Sequence, residues 1–175
     1  MKLPLLYYGN PLLRKKGARI AEINGEIRQI VDDMMETMHG SDGIGLAAPQ
    51  VGHSLSLFIA MRMKEDEQGE WQEGPLQVFI NPVIVSYSQE VTTYNEGCLS
   101  LPKLYCDVTR PRTVTMTATD LEGKEFTEEF CDFQAHIVLH ENDHVNGVLF
   151  IDRLDSKSRK ALEPELRAIK KKYCK

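Results

Sequence analysis

No apolar run in this 175-residue sequence approaches the ~20 residues that a bilayer-spanning helix needs. The apolar opening, Leu3-Pro4-Leu5-Leu6-Tyr7-Tyr8, is too short for a secretion leader and runs straight into Gly9-Asn10-Pro11. Cytoplasm is therefore the expected location, with no membrane partner. Cysteine is sparse: Cys98, Cys106, Cys131 and Cys174 are scattered, and no Cys-x-x-Cys pair occurs. A disulfide framework is not expected in such a chain, so each thiol is either a buried apolar filler or a reactive or metal-binding thiolate. Internal repeats and long linkers are missing too, and the length suits one folded body with a sizeable core.

What is present is ordinary in bulk, with 42% hydrophobic and 27% charged residues. The net charge of -5 hides an asymmetry. Residues 156–175 hold eight Lys and Arg against two Glu, and the preceding residues hold thirteen against twenty-four. A catalytic body over 1–155 followed by a basic helical tail over 156–175 is the expected division.

Residues 24–39 predict an amphipathic helix capped by Asn24, with Ile27, Ile30, Val31, Met34, Met35 and Met38 recurring at helical spacing. Residues 54–61 predict a strand, Arg62–Pro75 an exposed hairpin tip or insertion, and 76–88 two short strands around Asn81-Pro82. Thr113–Thr119 and Lys124–Phe130 alternate on both sides of Asp120-Leu121-Glu122-Gly123 and predict a hairpin. A helix is expected over 132–145 with Asp132 as its cap, and Ser156 opens a charged terminal helix that Pro164 would kink. Strands grouped in the middle with helices at both ends indicate an α+β fold: mixed or antiparallel strands around a central helix, with one N-terminal and one C-terminal helix.

That central helix carries His140-Glu141-Asn142-Asp143-His144. Positions four apart share a helix face, so His140 and His144 can grip one metal ion, with Glu141 placed to take a proton from water there. A catalytic site of this kind needs a third ligand. One protease class would put a His six residues on, where Phe150 stands; another would use a downstream Glu, but Glu163 and Glu165 flank Pro164 in a basic stretch. Cys98, inside Glu96-Gly97-Cys98-Leu99-Ser100, is the better ligand, with Cys106 and Cys131 as weaker rivals. The segment Gly43-Ile44-Gly45-Leu46-Ala47-Ala48-Pro49-Gln50 lets backbone approach a substrate closely and ends in an amide donor.

Taken together and in this order, Gly-x-Gly-Leu-Ala-Ala-Pro-Gln, Glu-Gly-Cys-Leu-Ser and His-Glu-x-x-His resemble the peptide deformylase family. The resemblance implies a metal-dependent hydrolase that removes the N-formyl group from the N-terminal methionine of new polypeptides and releases formate. It implies Cys98, His140 and His144 as ligands of one divalent metal, with ferrous iron as the physiological ion and zinc, nickel or cobalt as alternatives. Glu141 would act as base and then acid, while Gln50 and the Leu99 backbone N–H would face the developing negative charge. Gly45 would present backbone to the peptide, and Ile44, Phe133 and Ile137 would wall the methionine side chain. Asp143 and Arg110 resemble a supporting pair beside the ligands. The partners implied are N-formyl-methionyl nascent peptides and, through the basic tail, the ribosome, with no DNA.

Three positions depart from the family pattern: Leu139, His136 and Lys103. His136 stands in line with His140 and His144, but a fourth ligand would close the position catalysis needs, so a pocket-lining or hydrogen-bonded role is expected. Lys103 replaces a common Gly, which puts the turn of the Cys98 loop in question and adds positive charge near the cleft. Two rival functions are a metallopeptidase cutting internal bonds, opposed by Phe150, and a non-catalytic metal-binding module, opposed by intact Glu141 and Gln50.

Overall fold

The Asn24 side chain accepts a hydrogen bond from the Ile27 backbone N–H at 3.1 Å, opening α1 (Gly25–His39). A cap of this kind stabilises a helix by about 1 kcal/mol. Ile27, Ile30, Val31, Met34 and Met38 form the buried stripe, and Met35 is half-buried at its margin. These contacts come from a computed structural model, which describes residues 1–174.

Five strands, β1 (Gly45–Ala47), β2 (Leu57–Glu65), β3 (Trp71–Tyr87), β6 (Thr113–Thr119) and β7 (Glu125–Cys131), form one sheet in the order β1-β2-β3-β6-β7. β4 (Val91–Cys98) and β5 (Leu101–Pro111) form a separate two-stranded sheet. All pairings between these strands are antiparallel. With helices at both ends, the architecture is α+β as expected.

β2 shows why an antiparallel strand can read as a continuous apolar run. Leu57, Ile59 and Met61 join the core cluster of α1, whereas Phe58 and Ala60 join the cluster beneath α2 (Asp132–Val145). Successive side chains point to opposite faces, so the large sheet lies between α1 and α2. α2 is buried from Ala135 to Val145, polar residues included. A third cluster joins Leu101, Leu104 and Val108 of β5 to Phe150, Ile151 and to Leu166 and Ile169 of α4 (Glu163–Tyr173).

Several local expectations are corrected. Residues 76–88 are not two strands but the end of the long β3, where the register shifts between Ile80 and Val83. Asn81 sits there at φ 52, its side chain bonded to both the N–H and the carbonyl of Ile20 at 2.8 Å, so a bulge replaces the expected break. The hairpin tip shrinks to residues 66–70, where the Asp66 carboxylate accepts the N–H groups of Gln68 and Glu70. Asp132 is not a cap: its φ is 53 and its carboxylate pairs with Arg112 at 3.0 Å. Pro164 does not kink one helix; the chain breaks at Leu162 between α3 (Ser156–Ala161) and α4, which Pro164 opens. Proline is well tolerated in a first turn, where its missing N–H has no intrahelical partner.

Candidate metal centre and active site

Three donor atoms converge between the small sheet and α2. Cys98 ends β4, His140 and His144 lie one turn apart on α2, and their ligand atoms are all within 4.8 Å of one another. The Cys98 Sγ is 3.2 Å from His144 Nε2. Phe150, which occupies the position of a third histidine in one protease class, is buried and stacks on the His140 ring at 5.8 Å. Cys106 and Cys131 stand outside this group.

The buried carboxylate of Glu96 orients His140. Its Oε1 accepts from His140 Nδ1 at 2.9 Å, and its Oε2 accepts from His136 Nδ1 at 2.7 Å. Arg110 donates to both oxygens, at 2.8 and 3.0 Å. Burial opposes the charged form of Glu96, yet the hydrogen bonds from His136, His140 and Arg110 outweigh it and hold the carboxyl well below its ordinary range. Arg110 also donates to Asp143 at 2.9 Å, and Asp143 accepts twice more from Arg153. The Asp143–Arg110 pair thus lies in a buried network with Glu96. His136 is hydrogen-bonded, with its other nitrogen 3.1 Å from both the Thr92 hydroxyl and carbonyl, and is not a member of the donor trio.

Glu141 is buried, and its Oε2 has no hydrogen-bond partner among the described residues. Burial pushes its carboxyl up to about 7, against the pull of His140. Burial, and then the neighbouring His140, keep the His144 imidazole well below its usual value, which favours the neutral form a metal ligand requires. Gln50 is held by its own loop: its Oε1 accepts the Ala47 N–H at 2.9 Å, and its Nε2 lies 3.1 Å from the Ser100 hydroxyl and 3.5 Å from Cys98 Sγ.

A cavity of about 410 Å³ opens in front of these groups. Ile44, Gly45, Leu99, Phe133 and Ile137 line it, together with Gln50, Cys98, His140 and Glu141. A Cβ at Gly45 would lie 2.9 Å from the Glu141 Cγ, so glycine lets β1 back onto that side chain without pushing it aside. Asp143 and Arg110 stand behind the cavity rather than in its wall. Sequence reasoning missed Glu96 and Arg153 as supports. A metal-ligating His usually hands its second N–H to a carboxylate, and Glu96, two residues before Cys98, was the acid to ask about.

The donor set fits a divalent transition metal: one thiolate, two imidazoles, and a buried unpartnered carboxylate beside them. The family model described as polypeptide deformylase matches residues 2–160. A peptide deformylase of Borreliella burgdorferi is 45% identical over 166 residues, spanning 94% of this chain and 96% of that protein. One from Synechocystis is 42% identical over 154 residues, spanning 88% and 80%. Among solved structures, the peptide deformylase of Ehrlichia chaffeensis superposes with a TM-score of 0.88 at 32% identity, covering 98% of this chain and 97% of that one. Over nearly its whole length the chain therefore belongs to the polypeptide deformylase family, metal-dependent hydrolases that remove the N-formyl group from nascent peptides.

Proposed function

We propose that Cys98, His140 and His144 hold one divalent metal ion and that Glu141 is the proton carrier of deformylation. The observation that carries this reading is the buried, unpartnered Glu141 carboxylate beside the donor trio in a lined cavity. The bound ion supplies a Lewis acid that lowers the pKa of water and polarises a carbonyl. Glu141 accepts a proton from the attacking water and delivers it to the amine nitrogen as the formyl C–N bond breaks, leaving formate and a free amino terminus. Burial, which favours the protonated form of Glu141, works in the direction that a group which must also hold and deliver a proton needs. Gln50 Nε2 and the Leu99 N–H serve the charge developing on the formyl oxygen, and losing one such donor typically costs about 2.7–4 kcal/mol. Ile44, Phe133 and Ile137 wall the methionine side chain, and Gly45 offers backbone to the peptide. Asp143 and Arg110 hold Glu96, and through it His140, in place.

Ferrous iron is the ion we assign, with zinc, nickel and cobalt as ions the same ligands accept. The proposed place of action is the cytoplasm. We assign residues 1–155 to the catalytic body and 156–175 to a tail that meets ribosomal RNA, whose phosphates Lys and Arg neutralise. Leu166 and Ile169 of that tail are buried against β5, so its basic surface, rather than its whole length, is the part to alter.

The test is formate release from a formyl-Met-Ala-Ser peptide by anaerobic, iron-loaded protein. Rapid release is expected, and Glu141→Ala should retain metal while losing turnover. Turnover by that variant would overturn the role of Glu141, and fragments from an unblocked peptide would favour a peptidase.

A further inference from the structure

Beside the Cys98 thiol the register of the small sheet jumps. Gly97 pairs with Tyr105, but Cys98 pairs with Leu101. Pro102, Lys103 and Leu104 have no partner across this ladder, and the backbone turns left-handed at Lys103, with φ 63. A residue with a Cβ rarely adopts that conformation, and it persists where the surroundings hold it. Here Leu104, 4% exposed, anchors the bulge in the third core cluster. Bulges next to active sites re-aim side chains, and this one turns Lys103 out to the cavity, which it lines.

Lys103 is the only Lys or Arg among the described residues lining that cavity. It is exposed and, among the described residues, makes no ion pair. Of the acids lining the same cavity, Glu96 is satisfied by Arg110 and two histidines, Glu141 is buried, and Asp42 lies in the loop leading to β1. Next to Lys103 along the rim, Tyr105 is 68% exposed, and its ring covers Gly97 so closely that a Cβ there would collide with it. An exposed cation and an exposed aromatic ring therefore stand together in the wall of the cavity that holds the catalytic groups.

We propose that Lys103, beside the Tyr105 ring, is a specificity-determining residue that favours formylated peptides with an acidic side chain downstream of the formyl-methionine. The proposal rests on the deformylase reading and adds a substrate preference to it. The strongly acidic body disfavours acidic peptides at long range, so the local contribution of Lys103 is read as a change between variants rather than as an absolute preference.

The experiment compares kcat/KM for formyl-Met-Ala-Asp, formyl-Met-Ala-Ser and formyl-Met-Ala-Lys amides, each normalised to the serine peptide. Exposed ion pairs of this kind shift an equilibrium by about two- to fivefold. The Asp-to-Lys ratio should fall by about that factor in Lys103→Gln and further in Lys103→Glu. The change should be carried by KM and shrink in high salt, where exposed charges are screened. Lys103→Gly, which suits the left-handed backbone, should match Lys103→Gln and so separates charge from bulge geometry. An unchanged ratio in Lys103→Glu, with the serine peptide still turned over, overturns the proposal; failure of the wild-type protein to turn over any peptide would instead overturn the deformylase reading.

Discussion

Replacing Glu96 with Ala removes the acceptor of four hydrogen bonds at once, from His136, His140 and twice from Arg110. Glu96 is 8% and Arg110 4% exposed, so the guanidinium left behind cannot turn to water. Removing one partner of a buried ion pair costs about 3–5 kcal/mol. Asp143 still accompanies Arg110, which places the loss within that range rather than above it. For a chain of this size the expected drop in Tm is about 6–20 °C. Freed from its acceptor, the His140 ring should also bind metal about 10–100-fold more weakly. Urea unfolding of chelator-treated protein reads the first quantity, and competition with a chromogenic chelator reads the second. Glu96→Gln, which keeps the volume and one acceptor oxygen but not the charge, should fall between the two. The pH dependence has a fixed sign. The folded-state pKa of Glu96 is depressed, so its contribution is fully present above the unfolded carboxyl value of about 4.3. It is lost as pH falls below that value towards the folded one. A Glu96→Ala protein within about 1 kcal/mol of wild type, binding metal equally well, would refute the reasoning.

Gly45→Ala should displace the Glu141 carboxyl, because the new Cβ would stand 2.9 Å from its Cγ. A misplacement of this order costs about 100-fold in turnover, and metal content measured on the same sample should stay at the wild-type level. Full activity would show that Glu141 can move without consequence. Reversing Lys170, Lys171 and Lys172 to Glu, which leaves the buried Leu166 and Ile169 in place, should weaken sedimentation with ribosomes and flatten its salt dependence. Unchanged co-sedimentation would remove the tail from the list of ribosome contacts.

The features legible in the sequence were those set by neighbours along the chain. The spacing of His140 and His144, the Asn24 cap and the 113–131 hairpin each follow from local geometry. Cys98 was legible as a candidate thiolate, and the resemblance of its motif to a family's singled it out from Cys106 and Cys131, since no periodicity says that a residue at the end of β4 meets α2. β1 escaped notice because three residues rich in glycine and alanine carry no strand signal; their pairing with β2 makes them a strand. Asn81-Pro82 looked like a break, but a side chain that satisfies both backbone groups of Ile20, sixty-one residues away, holds β3 continuous around a bulge. Asp132 had the chemistry of a cap, and Arg112 claimed its carboxylate. Glu96 stood in plain view inside a quoted motif, yet its role depends on three partners distant in sequence.

The proposed ligand trio comes from two separate layers, Cys98 from the small sheet and the histidines from the helix that lies on the large one, with His144 forty-six positions after Cys98. An ion gripped by all three is therefore a clasp as well as a reagent. At a free metal concentration a thousandfold above its Kd, it would add about 4.1 kcal/mol to the folded state, and it would do so at the seam where the two layers meet. Oxidation of the thiolate or of the ion would unfasten that seam before the chain unfolds. Oxidation that releases the ion should then speed hydrogen exchange along β4 and β5, so that inactivation would be at once chemical and mechanical.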